Sequence, residues 1–226
     1  ALRYIGHLDL HKMWESATRR AGIALAYSQG FHPQPKIQLA SALPLGFSSR
    51  CEVADMWVED EIIDDIQTRP STLRQAQDGA AAAPPLRTWN KDELADFQTR
   101  LQAALPPGII IQEITQVDER APALQTQVMA SEFDVTLLDE IDADALTRRL
   151  SAVLEADSIP RERRGKPYDL RPLIQSLTFS AAPTPSLHLQ LTAREGATGR
   201  PEEVLAVLEI PLESTRIERT KLIFSA

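Results

Sequence analysis

Residues 4–52, YIGHLDLHKMWESATRRAGIALAYSQGFHPQPKIQLASALPLGFSSRCE, set the reading of the fold. A strand over 2–5 runs into a helix over 8–21, where Leu10, Met13, Trp14, Ala17 and Ala21 recur at helical spacing. Asp9 in the first turn and Arg19 and Arg20 in the last suit the helix dipole, and Gly22 is placed to end the helix. The loop YSQGFHPQPK follows, and then two strands, 36–42 and 51–59, joined by a turn containing Pro44 and Gly46. Ordinary connections are short and made of turn residues alone. This loop also carries Tyr27, Gln29, Phe31, His32 and Lys36.

Downstream, Asn90 and Glu93 spell a capping box for a helix over 91–105 with Leu94, Phe97, Leu101 and Leu105 as its apolar stripe. Pro106, Pro107 and Gly108 end it, and 109–117 reads as a strand. The order is β-α-β-β-α-β, the ferredoxin-like arrangement. Residues 66–89, rich in Ala, Pro, Gln and Ser, read as a mobile surface insert; a short helix over 73–82 is the alternative there.

After a charged turn near 118–125 the theme repeats. Phe133, Val135 and Leu137 alternate with Asp134 and Thr136 in a strand over 132–138. Asp142 or Asp144 opens a helix whose face is Leu146, Leu150, Val153 and Leu154. A strand near 158–163, the loop RRGKPYDLRPL, paired strands over 173–179 and 186–193, a helix from Pro201 through Leu208 and a strand over 215–224 complete it. The expected fold is α+β, two tandem ferredoxin-like units with antiparallel sheets. The first covers 1–122, with the insert at 66–89; the second covers 126–226, with a basic loop at 161–171.

Composition narrows the function classes. A 43% apolar share supports a real core, and 226 residues allow one large or two small domains. The net charge of −8 denies the molecule as a whole any general attraction to nucleic acid, though a local basic patch is compatible with it. Cys51 is the only cysteine, which excludes an internal disulfide, a Cys-built zinc site and a Cys-ligated iron–sulfur cluster within this chain. That usage suits the cytoplasm. There is no membrane-length apolar run and no signal peptide, so no membrane partner is expected. The chain opens inside what reads as a strand, so further residues are expected before Ala1.

Three constellations are candidates for chemistry. His7 and His11 lie four apart on one helical face that continues to Glu15, and with His32 they would make a mononuclear metal site. The intervening Glu of a metalloprotease helix is missing, so bracing of the loop by His7 is the simpler role. In the loop, Tyr27, Phe31 and His32 offer rings for a base, Lys36 a cation for a phosphate, and Gly30, Pro33 and Pro35 fix the path. A rigid crossover packed by Phe31 is the structural alternative. Finally, Arg161, Arg163, Arg164, Lys166 and Arg171 form a run opposed only by Glu162 and Asp169, able to grip phosphates or to remain a solvated face. Asp169 is placed to pair with Arg171 or to fix Arg219 and Lys221. No nucleophile motif or phosphate loop stands out.

At HLDL, RRAGI, LAYSQGFHPQPKI and ALPLGFSS followed by Glu52, the sequence resembles a bacterial family, the radical SAM-linked domain. The likeness continues through LPPGIIIQEI, SEFDVTLL, YDLRPLI, RPEEVL and RTKL. Its pattern falls on His7, Asp9, Arg20, Tyr27, Gln29, Gly30, Phe31, Pro33, Pro35, Lys36, Leu43, Pro44, Gly46, Ser49 and Glu52, while Gly6 and Ser28 depart from it. Members occur as parts or neighbours of radical S-adenosylmethionine proteins, and some are joined to RNA-degrading or RNA-maturing enzymes. The resemblance implies an accessory domain near a radical or RNA-related enzyme, and the lack of a catalytic motif makes the expected domain non-catalytic, without a cofactor of its own. Taken with the doubled ferredoxin-like units, the 27–36 loop and the 161–171 patch, it leads us to expect a domain that binds structured RNA, tRNA or rRNA, and presents it to a radical SAM or RNA-processing partner. Docking on a radical SAM enzyme without RNA contact is the alternative, and a His-based metal-dependent enzyme the third.

Overall fold

Helix α1 (His7–Arg20) forms where the apolar spacing predicts it, with Asp9 at its start and Arg19 and Arg20 at its end. A computed structural model describes residues 2–59, 88–118, 120–194 and 196–225. The expected insert at 66–89, except its last two residues, and the alternative helix at 73–82 lie outside the described residues. After α1 come β1 (Ile37–Leu39), β2 (Ser48–Ser49), β3 (Ala54–Met56) and α2 (Lys91–Ala104). The chain then forms α3 (Leu124–Gln127), β4 (Val128–Leu137), α4 (Ala143–Glu155), β5 (Pro160–Arg163), β6 (Lys166–Asp169) and β7 (Ile174–Ser180). Next are β8 (Ser186–Arg194), β9 (Ala197–Thr198), α5 (Pro201–Val207) and β10 (Thr215–Phe224). The fold is α+β, with antiparallel and mixed sheets.

Two compact units result, and they do not follow chain order. One comprises Ala1–His7, Gln38–Asp55 and Pro122–Ala226; the other comprises Leu8–Ile37 and Met56–Ala121.

In the Leu8–Ile37 and Met56–Ala121 unit, Ala17, Ile23, Leu25, Ile37, Phe97 and Leu101 form a buried cluster with Met13, Trp14 and Trp89 packed on it. Burying each of the larger side chains is worth roughly 1.5–3 kcal/mol. Asn90 caps α2 in a reciprocal box with Glu93, and Trp89 meets Phe97 edge to face at 5.7 Å. The strand expected over 109–117 does not form among the described residues. Side chains of α2 take its hydrogen bonds instead: Gln102 donates to the Ile109 carbonyl and accepts from the Ile111 N–H, and Gln98 donates to the Ile111 carbonyl. At Ile109 and Ile111 these groups therefore need no ladder partner.

In the other unit, the main sheet runs β2-β10-β4-β8-β7, with β9 paired to β8. β10, β4, β8 and β7 are antiparallel neighbours, and β2 lies parallel to β10 through Ser48 and Ser49. Phe133, Val135 and Leu137 of β4 and Leu187, Leu189 and Leu191 of β8 share one face with Leu146, Leu150 and Val153 of α4 and Val204, Leu205 and Leu208 of α5. Glu132, Asp134 and Thr136 alternate to the other face. Asp142 caps α4. Leu154, expected in its buried stripe, is instead exposed.

Other expectations are corrected here. Leu2–Tyr4 is a 3-10 turn rather than a strand, because Arg3 uses its main chain and guanidinium to hold Gly46. The loop after 158–163 is itself a strand: β5 pairs with β6 as a separate hairpin, so 161–171 is ordered structure and not a loose basic loop. The four-stranded sheet expected within 1–122 does not occur among the described residues; β2 joins the sheet of the later segment, and β1 pairs only with β3.

Candidate functional site

The 27–36 loop is a tight hairpin. The Lys36 N–H donates to the Ala26 carbonyl at 2.8 Å, the Ser28 N–H to the Gln34 carbonyl at 2.8 Å, and the Gln34 N–H to Ser28 Oγ at 2.9 Å. Tyr27 bridges to Pro35, and Pro35 is buried. Beneath it the Ala26 N–H donates to the Trp57 carbonyl, the Trp57 N–H to the Lys36 carbonyl and the Glu59 N–H to the Ala24 carbonyl. Gly30 turns the tip at φ 139°, a backbone angle that side chains bearing Cβ rarely adopt. Hydrogen bonds and prolines thus fix the main chain, while Tyr27, Gln29, Phe31, His32 and Lys36 all face solvent. Phe31 is 102% exposed, so it packs nothing, and the expected alternative of a crossover held by Phe31 is ruled out.

Residues 42–52 turn inward. Arg3 Nε and Nη2 donate to the Gly46 carbonyl at 2.9 and 2.7 Å. Phe47, 4% exposed, meets Phe133 edge to face at 6.4 Å. Ser48 Oγ donates to the Ile217 carbonyl, and the Arg50 N–H donates to the Arg219 carbonyl. Arg50 also pairs with Glu218. Arg219, 2% exposed, donates from Nη1 to both Glu52 carboxylate oxygens at 2.9 and 3.2 Å and from Nη2 to the Ala42 carbonyl at 2.7 Å. Its guanidinium lies 5.7 Å from the Phe133 ring centroid. A buried guanidinium needs such a set of acceptors. Glu52 supplies the role that Asp169 was expected to fill. Burial pushes the neighbouring Cys51 thiol above its ordinary pKa, which disfavours the thiolate.

The basic run divides. Arg161 Nε and Arg163 Nε each lie 3.5 Å from a Glu203 carboxylate oxygen. Arg163 also donates to the Thr198 carbonyl and sits 4.8 Å above the Tyr168 ring. Arg171 donates to the Ile174 and Leu154 carbonyls. Burial alone would raise the Glu203 carboxyl; the Tyr168 hydroxyl and the two guanidinia outweigh it and hold the group below its usual value. Asp169 accepts the Ile159 and Arg171 N–H groups rather than a guanidinium, and the Ile159 bond is the main cause of its lowered pKa. Only Arg164 and Lys166, at the turn of the β5–β6 hairpin, are exposed cations of this set.

His7, Asp9 and Arg20 are exposed along α1, and Arg20 donates to the Ala104 carbonyl. Among the described residues no three His, Cys, Asp or Glu side chains converge as a metal ion requires, so the His7, His11 and His32 arrangement has no geometry behind it. Sequence reasoning missed Glu203, whose signal was its place after Pro201 in the first turn of α5. It also missed the cross-strand pair of Asp134 and His188, joined Oδ1 to Nδ1 at 2.6 Å on the polar sheet face. That pair follows from two polar positions falling in register. No hydroxyl or thiol is bonded to the ring among the described residues, so it forms no nucleophile–base couple.

No helix among the described residues is long and apolar enough to cross a membrane. No curated protein matches the chain. A family model matches residues 1–79 and 86–201, spanning both units and both motif loops. The chain therefore belongs to the family described as "uncharacterized protein conserved in bacteria", DUF2344.

Proposed function

We propose that this chain is a non-catalytic accessory module that binds RNA through the 27–36 hairpin and presents it to a partner enzyme. The observation that carries this is Phe31, fully exposed at the tip of a hairpin whose every other device serves stiffness. An exposed aromatic ring on a fixed main chain contributes nothing to the core and leaves its face available for stacking on a base. Sequence resemblance supplies the partner class: a radical SAM protein or an RNA-processing enzyme acting on tRNA or rRNA. With Cys51 as the sole cysteine, an iron–sulfur cluster and any S-adenosylmethionine chemistry belong to that partner.

Residues 128–224 supply a second support. With the β5–β6 hairpin and β9 set aside as additions, β4, α4, β7, β8, α5 and β10 follow a β-α-β-β-α-β order, and their β10-β4-β8-β7 arrangement reads as one ferredoxin-like unit, an architecture that serves RNA binding among many other roles. Its polar face carries Glu132, Asp134, His188 and Gln190, with the cations Arg216 and Lys221 in register beside Thr136 and Glu132, so positive charge there stands among carboxylates. The hairpin, and not this sheet, is therefore the proposed contact.

Docking of the hairpin on a radical enzyme without RNA is the second reading. It is favoured by the commitment of Arg161, Arg163 and Arg171 to internal partners. Crosslinking in the native cell, with identification of both RNA and protein partners, separates the two. RNA crosslinked to 27–36 is expected; a protein complex that survives nuclease and high salt, with no RNA recovered, would replace RNA binding by docking.

A further inference from the structure

We infer that the 27–36 hairpin recognises an unpaired RNA base by stacking it on Phe31, with Lys36 holding the adjoining phosphate. This rests on the RNA-binding proposal above and narrows it from structured RNA in general to looped-out or single-stranded nucleotides. Three properties of the hairpin point there.

The first is charge. Between Glu15 and Glu52 the chain carries no carboxylate, although it has 32 Asp and Glu in all. Of the cations in that stretch, Arg19 pairs with Glu15, Arg20 bonds the Ala104 carbonyl and Arg50 pairs with Glu218. Lys36 is exposed and has no side-chain partner among the described residues. Along its sequence an acidic protein has thus kept acid out of one segment, the stretch bonded beneath it carrying Asp55 and Glu59, and has left one ammonium there available, as an anionic ligand requires.

The second is the form of the exposed surface. Phe31 at the tip and the less exposed Tyr27 at the base stand among Gln29, His32 and Gln34, all polar and exposed. That is not the contiguous apolar patch a protein partner buries. It is the combination that reads an unstacked base: a π-face for the ring, with an amide and an imidazole beside it for the base edge.

The third is the number of available cations. One lysine cannot track a duplex backbone, and A-form RNA keeps its major-groove base edges out of reach and its base faces stacked. Only unpaired nucleotides offer their faces, and stacking then carries the affinity. Fixing the tip through Gly30, Pro33 and the Ser28–Gln34 bonds removes the ordering cost that a flexible loop would incur on binding.

The test uses the full chain with two probes, an RNA stem-loop with an unpaired loop and a blunt duplex of the same stem. Phe31→Ala is expected to weaken stem-loop binding about 5- to 100-fold while leaving duplex binding within about twofold. Phe31→Trp is expected to retain stem-loop affinity within about threefold and to show quenching of the new indole on binding. A fourfold rise in salt is expected to cost only about two- to threefold for one phosphate contact on a single strand. Equal losses for both probes in Phe31→Ala would overturn base stacking and leave RNA binding standing. Failure of the unaltered chain to bind either probe would overturn RNA binding itself. Unchanged stem-loop affinity in Phe31→Ala, with loss of a nuclease-resistant protein complex, would assign the ring to a protein.

Discussion

The chain contains two Gly-Phe pairs in proline-bearing turns, Gly30-Phe31 and Gly46-Phe47, and they meet opposite ends. Both glycines hold positive φ, 139° and 88°. Both turns are closed by main-chain hydrogen bonds. Yet Phe47 is 4% exposed against Phe133, whereas Phe31 is 102% exposed. Around Phe47 every polar neighbour is consumed inside the fold: the Gly46 carbonyl by Arg3, Ser48 by the Ile217 carbonyl, Glu52 by Arg219. Around Phe31 the main chain is satisfied and the side chains are left over. Local sequence sets a turn; whether its side chains build the protein or face a ligand depends on what stands opposite.

That contrast can be tested in order of effect. Phe47→Ala should cost about 3–5 kcal/mol in denaturant unfolding, since it opens a cavity beside Phe133. A loss near zero would mean that the inward turn is no more structural than the outward one. Glu52→Ala should cost about 2–3 kcal/mol, because the Arg219 guanidinium would stay buried with only the Ala42 carbonyl and the Phe133 ring for company. Retained stability there would show that water reaches Arg219.

A smaller effect, about 1 kcal/mol, attaches to Glu203 and depends on pH. Its folded pKa lies below the ordinary value, so its stabilisation is present above about pH 4.3 and is lost as pH falls through the lower folded value. Glu203→Gln should therefore lower stability at neutral pH and flatten its decline in acid; an unchanged acid profile would remove Glu203 as the anchor of Arg161 and Arg163. Smallest of all, Phe31→Ala should leave unfolding stability within about 0.5 kcal/mol. A larger loss would show that the ring packs in solution, and the comparison with Phe47 would fail.

Much of the secondary structure was legible. α1 and α2 fall within a residue of the spacing-based limits, α4 starts at one of its two expected caps, and Asn90, Glu93 and Asp142 cap as their types suggest. β8 and β10 match the alternation of Leu187, Leu189 and Leu191 and the 215–224 run. The misses share a cause. Residues 109–117 have strand composition, but Gln98 and Gln102 on a helix take hydrogen bonds of Ile109 and Ile111 at their start. Residues 2–5 have strand composition too, but Arg3 holds Gly46. The basic run looked free for phosphates, but Glu203, more than thirty residues on, claims two of its arginines. In each case a partner distant in sequence overrode a sound local preference.

For the candidate site, sequence distinguished 27–36 as a stiff, aromatic, cation-bearing turn, because proline, glycine and ring chemistry are properties of single residues and their neighbours. It could not distinguish that turn from 42–52, whose residues carry the same resemblance. Only the three-dimensional arrangement did so. It set Phe133 and Arg219 against the one and left the other in water, because burial is decided by which strands pair and not by the residues of a loop.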